Sequence, residues 1–317
     1  MPIRTEKGFE RRLKLVCKTM ASPWDDRNYR VRSPLLEETL QLPTEFDGLY
    51  PYCRPSLYDQ GSIGSCVGWD GKVTNNITHH LHDMISEDFS PWWLYQRSRH
   101  YANLPDNVEG STNHGLMKAL RKEGACLEAR FPTPTKKANS YKITPTVEDL
   151  AEAMQYGIDS YWYVNTNPAD MQAAIYGTTH IASYMMPDGS PGKIPLITAF
   201  PVYESYRSAY DDGIVPTPAP GEKLLGGHSS QIRGWKVIDG KPYWINTGSW
   251  GGLGDDGDFY MPFDHPFYDA WIIHNGPIDD PNPTPSTCVV GNFAAKLASI
   301  VPWLLQRRGR FYYNNPT

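Results

Sequence analysis

Residues Tyr58 to Gly71 read YDQGSIGSCVGWDG, with one cysteine, Cys66, set among Gln60, Gly61, Ser62, Gly64, Ser65 and Gly68. A structural thiol behaves as a small hydrophobe and sits well among Val, Ile and Leu. Small, flexible and polar neighbours call for another reason. Downstream, Val73, Ile77, Leu81 and Met84 recur at helical spacing, which predicts a helix from Cys66 to about Met84. Cys66 then stands at a helix N-terminus, where the dipole favours an anion. A nucleophilic thiolate needs a lowered pKa, a base, an exposed position and donors for the oxyanion it creates. The helix start supplies the first, and the small Gly64 and Ser65 supply exposure. Gln60, turned back by glycine, supplies a side-chain N–H beside the backbone N–H of Cys66. The plain alternative is a tight glycine-rich turn carrying an incidental cysteine.

The whole chain sets bounds on this reading. Its 317 residues suffice for one large domain or two modest ones. A net charge of −5 shows no basic excess, so nucleic acid is not the implied partner. Ten Trp and twenty Tyr suit clefts and interfaces that bind extended ligands. Cys17, Cys53, Cys66, Cys126 and Cys288 are odd in number and scattered, which fits neither a disulfide framework nor a zinc site. The first twenty residues are charged throughout, unlike a signal peptide. No run of eighteen apolar residues exists to span a membrane. An intracellular, reducing origin, or a place within a particle, is the expectation.

Along the chain, residues 1–45 read as an arm and 46–276 as the main domain. Residues 277–317 read as a linker followed by a helix with Phe293, Leu297, Ile300 and Leu304 on one face. SPWWLYQRSRHYAN predicts a helix with Ser90 as N-cap and Pro91 at its first position. STNHGLMKALRKEGAC predicts another that ends at Gly124. The second half changes texture. PLITAFPVYES, HSSQIRGWKVI, KPYWINTGSW and GDFYMP read as strands, and Asp239-Gly240 signals a hairpin. A helical first half facing a β-rich second half is an α+β layout with a cleft between two lobes.

The base for Cys66 must come from elsewhere. His79, His80 and His82 crowd the first helix and read as a solvated face; HHLH lacks a fourth ligand at a matching spacing, so no metal or other cofactor is expected. His228 follows Gly226 and Gly227 at the opening of a strand, a rigid element able to aim it into a cleft.

These segments together resemble the papain-like C1 cysteine peptidases, of the leaderless microbial or viral type. DQGSIGSC resembles DQGxxGSC, SPWWLYQRSR resembles the S-x-x-x-L-Y helix, EGACLEARFP resembles G-x-x-x-E-x-x-x-P, and SWGGLGDDGDFYMP resembles SWGxxWGxxGY. The agreement runs in the family's order over residues 42–263. The resemblance implies the two-lobed papain-like fold, with Cys66 as nucleophile, His228 as base and Gln60 as oxyanion donor. It implies that Trp250 shields the third triad member, and that Gly64, Ser65 and Gly227 line the substrate cleft. That third member is where the chain departs from the pattern. The family reads N-S-W-G, whereas this chain reads Asn246-Thr247-Gly248-Ser249-Trp250, so Gly248 holds the asparagine position. Asn246 lies on the same strand face and would reach His228 only through a displaced or bulged strand. Ile63 and Val67 are two smaller departures.

Two functions follow from this. One is an endopeptidase that hydrolyses peptide bonds of peptide or protein substrates through a Cys66 thioester. The other is a catalytically impaired pseudo-peptidase, a binding or structural module in a larger assembly such as a virus particle. Residues 1–45 and 277–317 would be its docking elements.

Overall fold

The computed structural model describes residues 18–23, 42–48, 58–83, 85–134, 143–176, 184–185 and 191–275. Cys17, Cys53, Cys288, most of the 1–45 arm and the whole 277–317 tail with its expected helix lie outside them.

Three helices form the first lobe. Helix α1 (Cys66–Asp83) places Cys66 at its first residue and buries Val67, Val73, Ile77 and Leu81. Helix α2 (Pro91–Tyr101) starts where the sequence says: Ser90 Oγ accepts the Trp93 N–H at 3.0 Å, and Pro91 needs no N–H there. A Cβ on Gly68 would stand 2.1 Å from the Pro91 carbonyl oxygen, so this glycine lets α1 and α2 touch through their backbones. Helix α3 (Asn113–Lys122) is capped by Thr112, whose Oγ1 accepts the Gly115 N–H at 3.1 Å. It stops before Gly124, which has a φ of 80°. Two shorter helices follow, α4 (Val147–Ala153) and α5 (Pro168–Tyr176). The capping box Thr146/Asp149 opens α4.

The second lobe is built on an antiparallel sheet in the order β2-β9-β5-β6-β7-β8. Its members are β2 (Ser160–Tyr163), β5 (Leu196–Tyr203), β6 (Leu224–Ile238), β7 (Lys241–Thr247), β8 (Asp258–Pro262) and β9 (Asp269–His274). The two-residue β1 (Phe46–Asp47) joins β6 along the length that β5 leaves open, and β3 (Tyr184–Met185) pairs β4 (Pro191–Gly192) apart from the sheet. Asp239 and Gly240 both have positive φ, 50° and 76°, as the tight β6–β7 hairpin requires. Helices in one lobe and an antiparallel sheet in the other make the α+β papain-like architecture.

Tryptophan placement corrects one expectation. Trp93, Trp235, Trp244 and Trp271 are fully buried and serve the core, not a ligand cleft. Such rings remove large apolar areas from water, and Trp271 stacks on His114 of α3. No described helix is long and apolar enough to cross a membrane.

Candidate active site

Residues 18–23 decide the state of the site. Thr19 N–H donates to the Gly227 carbonyl at 3.0 Å on one wall of a trough, and Met20 N–H to the Ser111 carbonyl at 3.0 Å on the other. Ser22 N–H donates to Asp269 Oδ2 at 3.1 Å, and Ser22 Oγ accepts from the His114 N–H at 3.1 Å. The trough admits a backbone because its walls lack side chains. A Cβ on Gly110 would stand 1.9 Å from the Lys18 carbonyl oxygen, and one on Gly227 2.0 Å from that of Thr19. A Cβ on Gly64 would stand 3.0 Å from Glu109 Cγ and 3.2 Å from Lys18 Cβ, a looser fit against side chains.

Cys66 lies under this segment. Its Sγ is 3.0 Å from Thr19 Oγ1, and it has no exposed surface. Burial pushes the thiol up to about 12; the Thr19 hydroxyl and the Ser229 and Val67 backbone N–H groups oppose that rise, and Asp70 adds to it only as an ionised carboxylate. The expected exposed thiolate is therefore not what this state holds. The helix terminus is where it should be, but segment 18–22 excludes the water that would support the anion.

His228 lies in β6 opposite Phe200 of β5. Its ring stacks on Trp250, with centroids 4.0 Å apart and planes at 22°, and meets the Phe200 ring edge-on at 5.7 Å. Neither ring nitrogen has a hydrogen-bond partner among the described residues. Burial pushes this histidine down to about 3, so the ring is neutral at physiological pH. The covered state thus holds an un-ionised thiol and an un-ionised imidazole.

Gln60 is fixed from two sides. Its Nε2 donates to the Ile63 carbonyl at 2.8 Å, and its Oε1 accepts a short hydrogen bond from Ser249 Oγ. Its backbone N–H donates to the Ser249 carbonyl at 2.9 Å, and Asp59 bridges to Trp250. The Ile63 carbonyl can only accept and the Ser249 hydroxyl donates to Oε1, so the two contacts together set which way the Gln60 amide faces. Sequence reasoning passed over Ser249; its place beside Trp250 was the available signal. Ser65 is buried at the turn into α1, where its carbonyl accepts the Gly68 N–H at 2.9 Å.

The three clustered histidines divide. His79 is buried against Phe89 and Tyr156, contrary to the solvated face expected of it, while His80 bonds Ser86 Oγ at 2.9 Å. No group of three or more His, Cys, Asp or Glu side chains among the described residues could hold a metal ion.

The model of the papain family of cysteine proteases matches residues 107–265, half of the chain. The chain belongs to the papain family. It is 28% identical over 232 residues to a cathepsin B-like protein of Giardia intestinalis, covering 69% of each. It is 31% identical over 137 residues to a gut-specific cysteine proteinase of Caenorhabditis elegans, 43% of this chain but only 35% of that protein. Among solved structures, xylellain, a cysteine protease from Xylella fastidiosa, superimposes with a TM-score of 0.68 at 22% identity, over 83% of this chain and 97% of that one. The procathepsin B of Trypanosoma congolense superimposes with a TM-score of 0.62 at 14% identity, over 84% and 88%.

Asn246, the sequence candidate for orienting His228, bonds another residue in this structure. Asn246 faces Ile232 in the β6–β7 register, and its Nδ2 donates to Ser230 Oγ at 2.5 Å. Its Oδ1 has no partner among the described residues. A bulge in β6 between Ile232 and Gly234 shifts the register, but not far enough to bring Asn246 to His228. Moving two residues along both strands converts the Asn246–Ser230 pair into Gly248–His228. Asn246 makes, one step away, the contact that a side chain at 248 would make to the histidine.

Proposed function

We propose that this chain is a cysteine endopeptidase that cleaves peptide bonds through a thioester on Cys66, with His228 as general base and acid. The observation that carries the reading is the seat of residues 18–20: a peptide backbone bonded to Gly227 and Ser111 on opposite sides, passing close to Gly110, with Thr19 against Cys66 Sγ. A trough that accepts this chain accepts another of the same backbone chemistry.

A substrate would enter as segment 18–23 leaves. Water then returns to both groups, so the thiol falls from about 12 and the histidine rises from about 3, and the Sγ proton passes to the ring. The thiolate attacks the scissile carbonyl carbon, and the carbonyl π electrons move to oxygen. That oxyanion meets Gln60 Nε2–H and the Cys66 N–H. The imidazolium gives its proton to the leaving amine as the C–N bond breaks, which leaves the thioester. His228 then takes a proton from water, hydroxide attacks the thioester carbon, and the C–S bond breaks.

The second reading, a pseudo-peptidase, is favoured by Gly248 and by a His228 with no polar partner among the described residues. Hydrolysis of a fluorogenic peptide panel by wild type and by Cys66→Ala separates the two. A wild-type rate that Cys66→Ala abolishes supports the endopeptidase. Equal rates, in the full chain and after segment 18–23 is displaced by mutation, support the binding module.

A further inference from the structure

We infer that Asp70 is held as the undissociated acid in the folded protein and that, through Ser229, it positions the strand bearing His228 against the helix bearing Cys66. The positioning half rests on the peptidase reading; the bound proton does not. Asp70 lies one helical turn after Cys66 in α1 and is 1% exposed. Its Oδ2 makes a short hydrogen bond with Oγ of Ser229, the residue after His228. Ser229 Oγ is also 2.8 Å from Asn113 Oδ1, and Asn113 Nδ2 is 3.0 Å from Asp269 Oδ1. Four side chains from α1, β6, α3 and β9 thus form one buried row, carboxyl–hydroxyl–amide–carboxyl.

Proton counting limits what this row can be. A hydroxyl has one proton to give. If Ser229 gives it to Asn113 Oδ1, its contact with Asp70 is a hydrogen bond only when Asp70 is the donor. If instead the amide is turned round, Ser229 gives its proton to Asp70, and Asp269 must donate to Asn113. With both carboxyls ionised, one contact sets two acceptors face to face in the interior, a loss of about 1–3 kcal/mol. Either complete arrangement retains one proton for two carboxyls. The surroundings choose its place. Asp269 receives two N–H groups, from Asn113 and from the Ser22 backbone at 3.1 Å, which suits an anion. Asp70 makes no ion pair among the described residues, and its side chain meets only the Ser229 hydroxyl there. Burial holds the pKa of Asp70 well above the ordinary carboxylate range; burial also raises that of Asp269, where the hydrogen bonds from Ser22 and Asn113 oppose the rise.

The arrangement bears on both reacting groups. An ionised Asp70 would oppose the Cys66 thiolate from one turn away, whereas the acid leaves the helix N-terminus uncancelled. Ser229 is tied to α1 through Asp70 and to α3 through Asn113, and its backbone N–H favours the Cys66 anion. His228 is its neighbour in sequence, and its ring relies on packing alone among the described residues.

Infrared spectra of the full-length wild type, Asp70→Asn and Asp269→Asn at neutral pH test the proton directly. The carbonyl-stretch band of an undissociated carboxylic acid should be present in wild type and in Asp269→Asn, and absent from Asp70→Asn. A wild type without the band overturns the inference, and needs no variant to fold. So does a band lost from Asp269→Asn and kept by Asp70→Asn. The pH midpoint of Cys66 alkylation gives a second readout independent of hydrolysis. Replacing a neutral acid by a neutral amide should leave it in place; a fall of a unit or more would mean that Asp70 was ionised. For positioning, Asp70→Ala should lower peptide hydrolysis about 10- to 100-fold, as small misplacements of reacting groups do, and Asp70→Asn should lose clearly less. Equal losses in the two variants would remove the positioning role, while the infrared band would still report the proton.

Discussion

The Thr19 hydroxyl and Cys66 Sγ lie 3.0 Å apart although 47 positions separate them in the chain. Besides this contact Thr19 is held by backbone hydrogen bonds, since its N–H and that of Met20 reach opposite walls of the trough. Met20→Pro removes one of these donors. Losing a hydrogen bond of about 0.5–1.5 kcal/mol should raise the open population, and the iodoacetamide labelling rate of Cys66, about two- to tenfold. Peptide mapping by mass spectrometry reads the site. An unchanged rate at Cys66 would show that its access does not depend on this segment.

Acid should loosen the same contact. In the covered state burial holds His228 near 3, against an ordinary 6.5. Between those values the open state binds a proton that the covered state refuses, so opening gains as pH falls from 6.5 and stops gaining near 3. At pH 5 the His228 contribution amounts to about 25-fold over its value at pH 7. Hydrogen exchange at the Thr19 and Met20 amides, corrected for intrinsic rates, should lose protection by that order. His228→Ala should abolish the dependence. Protection that stays flat in wild type would mean that His228 remains dry in the open state.

Much of this fold was written locally. Ser90-Pro91, Gly124 and Asp239-Gly240 are short-range signals, since a cap, a left-handed stop and a hairpin turn each act over a few residues. Strand β9 was not legible because all six of its residues are buried, so no alternation marks it. Cys66, His228, Gln60 and Trp250 could be put forward as candidates from sequence because each falls in a short contiguous motif. The cover over Cys66 could not be. KTMAS carries no signal of its own, and its partners are backbone atoms of Gly227 and Ser111, about which side-chain chemistry is silent. Where Asn246 sits turned on a bulge between Ile232 and Gly234 and on the strand register, which periodicity does not report.

The Gln60 amide should depend on Ser249. The Ser249 hydroxyl is the donor to Gln60 Oε1, so Ser249→Ala removes one of the two contacts that hold the amide and leaves the Ile63 carbonyl as the other. Gln60→Ala should lower kcat about 10²–10³-fold, the usual loss for one oxyanion donor. Ser249→Ala should fall between that variant and wild type, with KM little changed, because the contact strengthens only as charge develops. The split between kcat and KM on a peptide substrate checks it. A rise in KM alone would mean that Gln60 and Ser249 bind substrate and do not stabilise the oxyanion.

The third triad position gives the sharpest test. A Cβ on Gly248 would find only ordinary contacts, with Phe259 ring carbons at 3.6 and 3.7 Å, and its φ lies outside the left-handed region. Gly248→Asn should therefore fold without strain. Its amide would stand to His228 as Asn246 now stands to Ser230, two residues along both strands. An amide oxygen accepting from the ring N–H favours the imidazolium, so the acid limb of the pH–rate profile should move. Fixing the ring should raise kcat/KM about 10- to 100-fold, as orientation of a reacting group does. Asn246→Ala, by contrast, should cost about 1 kcal/mol of stability through the lost Ser230 bond and leave that limb where it was. Peptide hydrolysis across pH by wild type and both variants decides between the positions. If Asn246→Ala shifts the limb and Gly248→Asn does not, then Asn246 moves to His228 when the cleft opens, and it, not residue 248, orients the base.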